Sequence, residues 1–133
     1  MVAERYAYQS SGDRDDELSD AVTVTDSDGV MLLRVSWCTE SAERARVVVE
    51  GDIDRDTAAV VGAVILDALA HRPVVCCDFR LTSYFGSAAV EALARAHLAA
   101  GESGRTVLLT GIAGLAERVL RVTGMLEVLA VEQ

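Results

Sequence analysis

The distribution of apolar and polar residues divides the chain into a strand-rich first part and a second part in which strands and helices alternate. Residues 30–37 and 46–54 carry apolar residues in short runs or at alternate positions, and a polar connection joins them. This pattern predicts two strands paired as an antiparallel hairpin, with a further short strand over 21–29. Residues 1–20 are polar and acid-rich without periodicity, so we expect a flexible acidic arm before a folded domain over 21–133.

From residue 57 onwards, helical and strand patterns follow each other in turn. Apolar residues at helical spacing predict helices over 57–71, 87–100 and 113–123, and short apolar runs predict strands over 74–79, 106–110 and 127–131. The run 74–79 is almost entirely apolar, which is typical of a strand covered on both faces. Three strand–helix–strand units in series imply parallel pairing with right-handed crossovers. The sequence therefore predicts an α/β fold: a mixed, mostly parallel sheet with an N-terminal antiparallel hairpin and three crossover helices.

The charge of the chain narrows the classes of partner. The formal net charge is −9 at pH 7, and none of the basic residues is lysine. Such a surface repels phosphate backbones and anionic lipids, so we expect no nucleic-acid or membrane partner. It suits a basic protein partner. No apolar run approaches the roughly 20 residues of a membrane span, and the first residues lack the pattern of a secretory signal. We therefore expect a cytoplasmic protein.

The three cysteines predict neither a disulfide framework nor a zinc site. Cys76 and Cys77 are neighbours in a predicted strand, so their side chains should point to opposite faces of the sheet. Cys38 follows Trp37 near the end of another apolar stretch, and no two cysteines have CxxC spacing. We expect small apolar side chains in a reducing compartment.

Two polar segments follow the predicted parallel strands, at 50–57 and 80–87. Because the carboxyl ends of parallel strands meet at one edge of a sheet, we expect both segments at the same edge. Asp52, Asp54 and Asp56 would then lie near Ser87. Three aspartates at alternate positions resemble cation ligands, but the terminal glutamate and central glycine of a calcium loop are missing. We expect a solvated, helix-capping loop and no metal.

Nothing in the chain supplies a base for nucleophilic catalysis by Ser87. His97 stands ten residues later on the same predicted helix, about 15 Å away at the helical rise, and His71 ends a different helix. No GxSxG, Walker or GxGxxG motif is present. We therefore expect no enzymatic activity and no cofactor. At a helix start, the Ser87 hydroxyl could instead cap backbone donors, and a phosphate there would be tolerated.

Three segments together resemble one known family. They are "GDID" at 51–54, "VVCCDFRLTSYFGSAAVEAL" at 74–93 and "GRTVLLTGIAGLAERVLRVTGMLEVL" at 104–129. In order and spacing, over about 31–131, they are similar to a STAS domain of the bacterial anti-sigma factor antagonist type. That family has G-E-[LI]-D, then a strand ending D-[LF]-[ST], then D-S-S-G before a helix. The resemblance implies the STAS fold.

The resemblance also implies site residues. Ser87 falls on the first serine of the D-S-S-G core, which in the family is phosphorylated by a partner anti-sigma kinase. The other core positions are Gly86, Ala88 and Ala89 in this chain, so three of the four differ from the family. Asp78 matches the strand-end aspartate. The implied partner-binding residues are Asp52, Asp54, Tyr84, Gly86, Ser87 and Ala88.

Two functions remain open at this stage. The resemblance favours a transcription regulator whose unmodified form binds an anti-sigma factor, a serine kinase of the kinase-fold type, and so frees the sigma factor. Phosphorylation of Ser87 would reverse that binding. The alternative is a degenerate STAS domain that acts as a scaffold or binds a small ligand, with no phosphate cycle. Oligomeric state does not follow from the sequence.

Overall fold

The computed structural model describes the backbone of residues 2–8 and 19–132, and side chains from residue 21 onwards. Seven described strands form one sheet in the order in which they occur along the chain. The elements are β1 (Val2–Tyr8), β2 (Ser19–Thr25), β3 (Met31–Thr39), β4 (Arg44–Ile53), α1 (Ala58–His71), β5 (Val74–Phe85), α2 (Ser87–Glu102), β6 (Thr106–Thr110), α3 (Gly114–Val122), a 3₁₀ turn (Met125–Glu127) and β7 (Ala130–Val131).

The first four strands pair antiparallel and the remaining pairs are parallel. The predicted α/β fold, its mixed sheet and the β3–β4 hairpin are therefore confirmed. Because the parallel strands follow each other in chain order, right-handed crossovers put all three helices on one face of the sheet.

Alternate residues of each central strand bury their side chains beneath the helices. On β4 to β6 these are Ala45, Val47, Val49, Val75, Cys77, Phe79, Val107 and Leu109. They pack with Val61 and Ile65 of α1 and Leu93 of α2 in one cluster. Full burial of each larger apolar side chain stabilises the fold by about 1.5–3 kcal/mol.

Trp37 extends this core under the end of α1. Its side chain is buried, and its indole Nε1–H donates to Oδ2 of Asp67 at 3.0 Å. The ring centre lies 5.0 Å from that of His71. This contact joins β3 to the C-terminal part of α1.

Charged side chains, and not a second layer of helices, cover the opposite face of the central strands. The prediction that residues 74–79 are covered on both faces is confirmed, because residues 75–79 of β5 are all buried, but the cover on this face is polar. Cys76 and Asp78 are buried on this face. Here Arg44 donates a hydrogen bond to Glu132, and Arg46 donates one to Glu40. Cys76 and Cys77 face opposite sides, as expected. We call this polar cover, formed by Glu40, Arg44, Arg46, Asp78, Arg80 and Glu132, the charged layer.

Several predicted boundaries need correction. Residues 50–53 belong to β4 and 80–85 to β5, so most of the two predicted loops is strand. The predicted last strand over 127–131 shortens to Ala130–Val131, because the chain first makes a 3₁₀ turn after Gly124, whose φ is +77°.

The expected flexible arm over 1–20 also differs from the structure. Val2–Tyr8 is a strand that pairs antiparallel with β2 in continuous register. The acid-rich composition of the neighbouring residues hid this short strand pattern. The acidic run 9–18 lies outside the described residues, so the prediction stays untested there.

Candidate functional site

The ends of β4 and β5 bring the two predicted site segments to one edge of the sheet. Asp52 is the register partner of Tyr84, and Ile53 is that of Phe85. The Gly86 N–H then donates to the Ile53 carbonyl at 3.1 Å. The turn after β4 therefore lies beside the start of α2, as the parallel pairing predicted.

The last part of β5 bulges away from β4. Between the pairs Val48–Asp78 and Glu50–Leu81, β5 has one more residue than β4. A second extra residue, Ser83, lies between the partners of Gly51 and Asp52. Bulges of this kind bend a strand and redirect its side chains, and they are frequent beside functional sites.

Two phenylalanines pin the ends of this bulged segment, residues 80–84, to the core. Phe79 and Phe85 are both buried, and their rings meet edge to face with centres 5.5 Å apart. Since both ends are fixed, the residues between them are displaced outward. Leu81 is 57% exposed and Tyr84 is 48% exposed. The sequence pattern did not identify Leu81, although a leucine outside any alternation is a usable signal.

Ser87 is the first residue of α2 and is exposed. Gly86 occupies the N-cap position, and no side chain caps the helix. The expected capping role of the Ser87 hydroxyl is therefore wrong. The hydroxyl faces solvent at the positive end of the α2 dipole, where an added phosphate is electrostatically tolerated.

Gly86 makes room for the ring of Tyr84. A Cβ on Gly86 would lie 2.8 Å from Cε2 of Tyr84 and 3.1 Å from its hydroxyl oxygen. The backbone of Gly86 is extended, with φ −98°, so the ring and not the backbone favours glycine here. An acidic residue at this position, as in the family pattern, would have to displace the tyrosine. Ala88, the next helical position after Ser87, is half-buried.

Asp54 and Thr57 hold the turn after β4 in place. Oδ1 of Asp54 accepts the N–H groups of Asp56 at 2.9 Å and of Thr57 at 3.1 Å. In return, the buried Thr57 hydroxyl oxygen accepts the Asp54 N–H at 2.9 Å and donates to the Asp52 carbonyl at 2.7 Å. These reciprocal hydrogen bonds between Asp54 and Thr57 fix the turn directly before α1, whose N-cap residue is Thr57, and the D-x-x-T spacing could have revealed them from the sequence.

These reciprocal hydrogen bonds give the acidic residues different roles. One carboxylate oxygen of Asp54 is directed at backbone donors, so Asp54 shapes the turn. Asp52 is half-buried and Asp56 is exposed. Among residues 21–132, no three His, Cys, Asp or Glu side chains lie close enough together to hold a metal ion. Within the described part of the chain, no helix is long and apolar enough to cross a membrane.

Asp78 and Arg80 form an ion pair at the base of the bulged segment. Arg80 donates to Oδ2 of Asp78 at 2.6 Å, and Arg46 donates to the same oxygen at 3.1 Å. Burial by itself would raise the pKa of Asp78, but the Arg80 hydrogen bonds and the charges of both arginines outweigh it. The pKa of Asp78 therefore lies below its usual value. Sequence reasoning missed this role of Arg80, which stands where the family pattern has serine or threonine.

An open cavity of about 340 Å³ adjoins Arg80 at the ends of β6 and β7. Its walls also include Gly111, Ala113 and Glu132. Gly111 has φ +72°, and a Cβ there would meet Cγ of Arg80 at 2.5 Å. A glycine is therefore required for Arg80 to lie against this turn.

Comparison with known proteins gives a family match and several similar folds. The family model described as "Mlab, STAS domain" matches residues 38–130. An anti-sigma factor antagonist from Mycobacterium paratuberculosis superposes with a TM-score of 0.66 at 18% identity, covering 81% of this chain and 89% of that chain. No curated protein sequence matches.

Two structures of SpoIIAA are also similar. Its unphosphorylated form gives a TM-score of 0.63 at 13% identity, over 74% of this chain and 88% of that one. The phosphorylated form of this Bacillus cell fate determinant gives 0.59 at 13% identity, over 74% and 91%. The shared fold extends over most of each chain.

Proposed function

The chain belongs to the STAS-domain family, and from this premise we propose that it is an anti-sigma factor antagonist. In this proposal it binds an anti-sigma factor of the serine-kinase fold in the bacterial cytoplasm and has no catalytic activity of its own. Phosphorylation of Ser87 by that partner ends the binding. The single observation that carries the proposal is the exposed Ser87 hydroxyl at the start of α2, beside the end of β4 that bears Asp52.

Phosphorylation of Ser87 would change the surface and leave the fold intact. A phosphate adds close to two negative charges, which the N-terminus of α2 accommodates. The same charges stand beside Asp52 at the end of β4 and near the exposed Asp56 of the following turn. A partner that covers this edge would have to strip water from the phosphate. A loss of about a hundredfold in affinity, or about 3 kcal/mol, is a reasonable expectation.

The contact surface in this proposal combines Asp52, Tyr84, Gly86, Ser87 and Ala88. Tyr84 supplies a half-exposed ring over Gly86, and tyrosine is common among residues that dominate binding energy. Asp54 contributes indirectly, because its hydrogen bonds with Asp56 and Thr57 fix the turn.

Substitution of Ser87 by glutamate tests the switch. We expect Ser87→Glu to weaken binding to the cognate kinase-fold anti-sigma factor by about a hundredfold, measured by titration calorimetry, with an almost unchanged melting temperature. Ala42→Glu is the matched control: it adds the same charge at an exposed position in the β3–β4 turn, at the opposite edge of the sheet. Equal affinities of wild type and Ser87→Glu would contradict the switch.

Mass spectrometry of the intact protein distinguishes the two open functions. Incubation with ATP and the anti-sigma factor should add phosphate to the wild-type chain. A wild-type chain that gains no phosphate would favour the scaffold or small-ligand alternative. The cavity beside Arg80 is the feature that would then be examined for a ligand.

A further inference from the structure

Ser83 is the extra residue of the second bulge in β5. Its neighbours Thr82 and Tyr84 have register partners on β4, whereas Ser83 has none. On the other side, β6 ends at Thr110, opposite Asp78. Within residues 21–132, Ser83 therefore belongs to neither strand ladder, and local movement of this residue breaks no register pair.

The hydroxyl of Ser83 is open to the surroundings. The side chain is exposed, and its hydroxyl forms no hydrogen bond within the described part of the chain. The adjacent Thr82 differs on both counts. Its side chain is half-buried, and its hydroxyl donates to the Phe79 carbonyl at 2.7 Å. Of these two neighbouring hydroxyls, only that of Ser83 is both exposed and without a hydrogen bond to the described residues, so only it is accessible to a kinase.

Ser83 also shares the edge of the sheet that carries Ser87. The two serines flank the segment in which the Tyr84 ring lies over Gly86. An enzyme that docks at this edge gains a high effective concentration of both hydroxyls. Both side chains are exposed, and the two serines are four residues apart along the chain.

We infer that Ser83 is a second phosphorylation site, modified by the same serine kinase that we propose acts on Ser87. This inference rests on the proposed function. In the reaction, Oγ of Ser83 attacks the γ-phosphorus of ATP, the bond to the β–γ bridging oxygen breaks and ADP leaves. The hydroxyl proton passes to the catalytic base of the kinase. The register places the new phosphate between the partners of Gly51 and Asp52, so it adds negative charge to the proposed contact surface.

Four variants separate the two sites in the intact-mass experiment. The chain is incubated with ATP and the anti-sigma factor, as wild type, Ser87→Ala, Ser83→Ala and the double variant. With the anti-sigma factor at a concentration high enough to saturate the singly phosphorylated chain as well, we expect the wild type to gain two phosphoryl groups at completion, each single variant to gain one, and the double variant to gain none. Thr82→Val serves as the matched control and should behave as wild type.

The outcomes distinguish the inference from the function on which it rests. A single phosphate that disappears in Ser87→Ala and persists in Ser83→Ala would overturn the Ser83 site and leave the proposed function standing. A wild type without phosphate would overturn both. A phosphate that persists in the double variant lies at a third site, and fragment masses of the wild type that place no phosphate on Ser83 would then overturn the inference.

A binding measurement provides a second readout that needs no turnover. Ser83→Glu should weaken binding to the anti-sigma factor by at least about tenfold, and Ala42→Glu should not. Unchanged affinity of Ser83→Glu would remove the regulatory consequence of the second site. Because Ser83 is exposed and outside both ladders, the variant should fold like the wild type.

Discussion

At the scale of single residues, Gly51 is the position where the backbone tolerates least change. Its φ is +102°, and a Cβ would lie 2.4 Å from the carbonyl oxygen of Leu32 on the neighbouring strand. Any side chain would therefore combine a strained backbone with a clash against another backbone. Gly51 lets β3 and β4 approach each other near the end of β4, just before the turn that begins at Asp54.

We predict that Gly51→Ala lowers the free energy of unfolding by about 3 kcal/mol, through left-handed strain and overpacking together. Gly101→Ala is the control, because Gly101 lies in α2 with nothing within 4 Å of the added Cβ. That variant should be more stable by about 0.5–1 kcal/mol. Urea denaturation measures both, and equal stabilities of the two variants would contradict the steric account.

Individual residues also show where sequence reasoning fell short. The position of Ser87 at the junction of β5 and α2 followed from the change of periodicity, and the structure agrees within one residue. The sequence did not show that the Ser87 hydroxyl leaves the backbone donors of α2 uncapped, because the direction of a hydroxyl depends on the local backbone. The roles of Asp54 and Thr57 could have been predicted from their spacing alone. The clash at Gly51 could not, because predicting it requires the position of the neighbouring strand.

At the scale of elements, the bulged segment of β5 explains why the sequence pattern predicts a loop where the structure has a strand. Parallel pairing with β4 continues to Phe85, while the two extra residues break the side-chain alternation that would have revealed a strand. Sequence periodicity therefore identifies the regular half of β5 and not the irregular half. The exposed Leu81 results from that irregularity.

We predict that Leu81 contributes to partner binding. Leu81→Asp should weaken binding to the anti-sigma factor by about tenfold or more, because a charge replaces an exposed apolar side chain of the bulged segment. Leu98→Asp is the matched control: Leu98 is 66% exposed on α2 and lies away from the bulged segment. Surface plasmon resonance would compare the two variants. An equal loss in both would argue that Leu81 has no specific role.

At the scale of the whole molecule, the charged layer connects strands that are distant in the chain. Arg44 on β4 bonds Glu132 after β7 at 2.7 Å, and Arg46 bonds both Glu40 and Asp78. No direct sign of this layer is visible in the sequence, since its hydrogen-bonded partners are separated by up to 88 positions along the chain. Only the sheet order brings them together.

The charged layer predicts acid sensitivity. Burial opposes ionisation of Asp78, yet its arginine partners dominate, and the hydrogen bonds from Arg44 lower the pKa of Glu132. Both groups therefore stabilise the fold above the ordinary carboxyl pKa values of about 4, and this contribution is lost as pH falls through their lowered values in the folded state. The melting temperature should fall between about pH 5 and pH 2.

Asp78→Asn isolates the largest buried part of this effect. The variant should be less stable than the wild type at pH 7 by about 2 kcal/mol, and its melting temperature should fall less steeply on acidification. Circular dichroism melts across this pH range provide the comparison. Parallel pH profiles of the two proteins would show that Asp78 does not contribute to the acid response.

Trp37 gives the molecule an internal optical reporter. It is the only tryptophan, and it is buried in the register position opposite Val47, well away from the edge that carries Ser87. Its fluorescence emission should be blue-shifted in the folded chain and move to longer wavelength on unfolding. Substitutions at the edge should leave that spectrum unchanged, so a variant that loses its partner but keeps its emission maximum has lost recognition and not its fold.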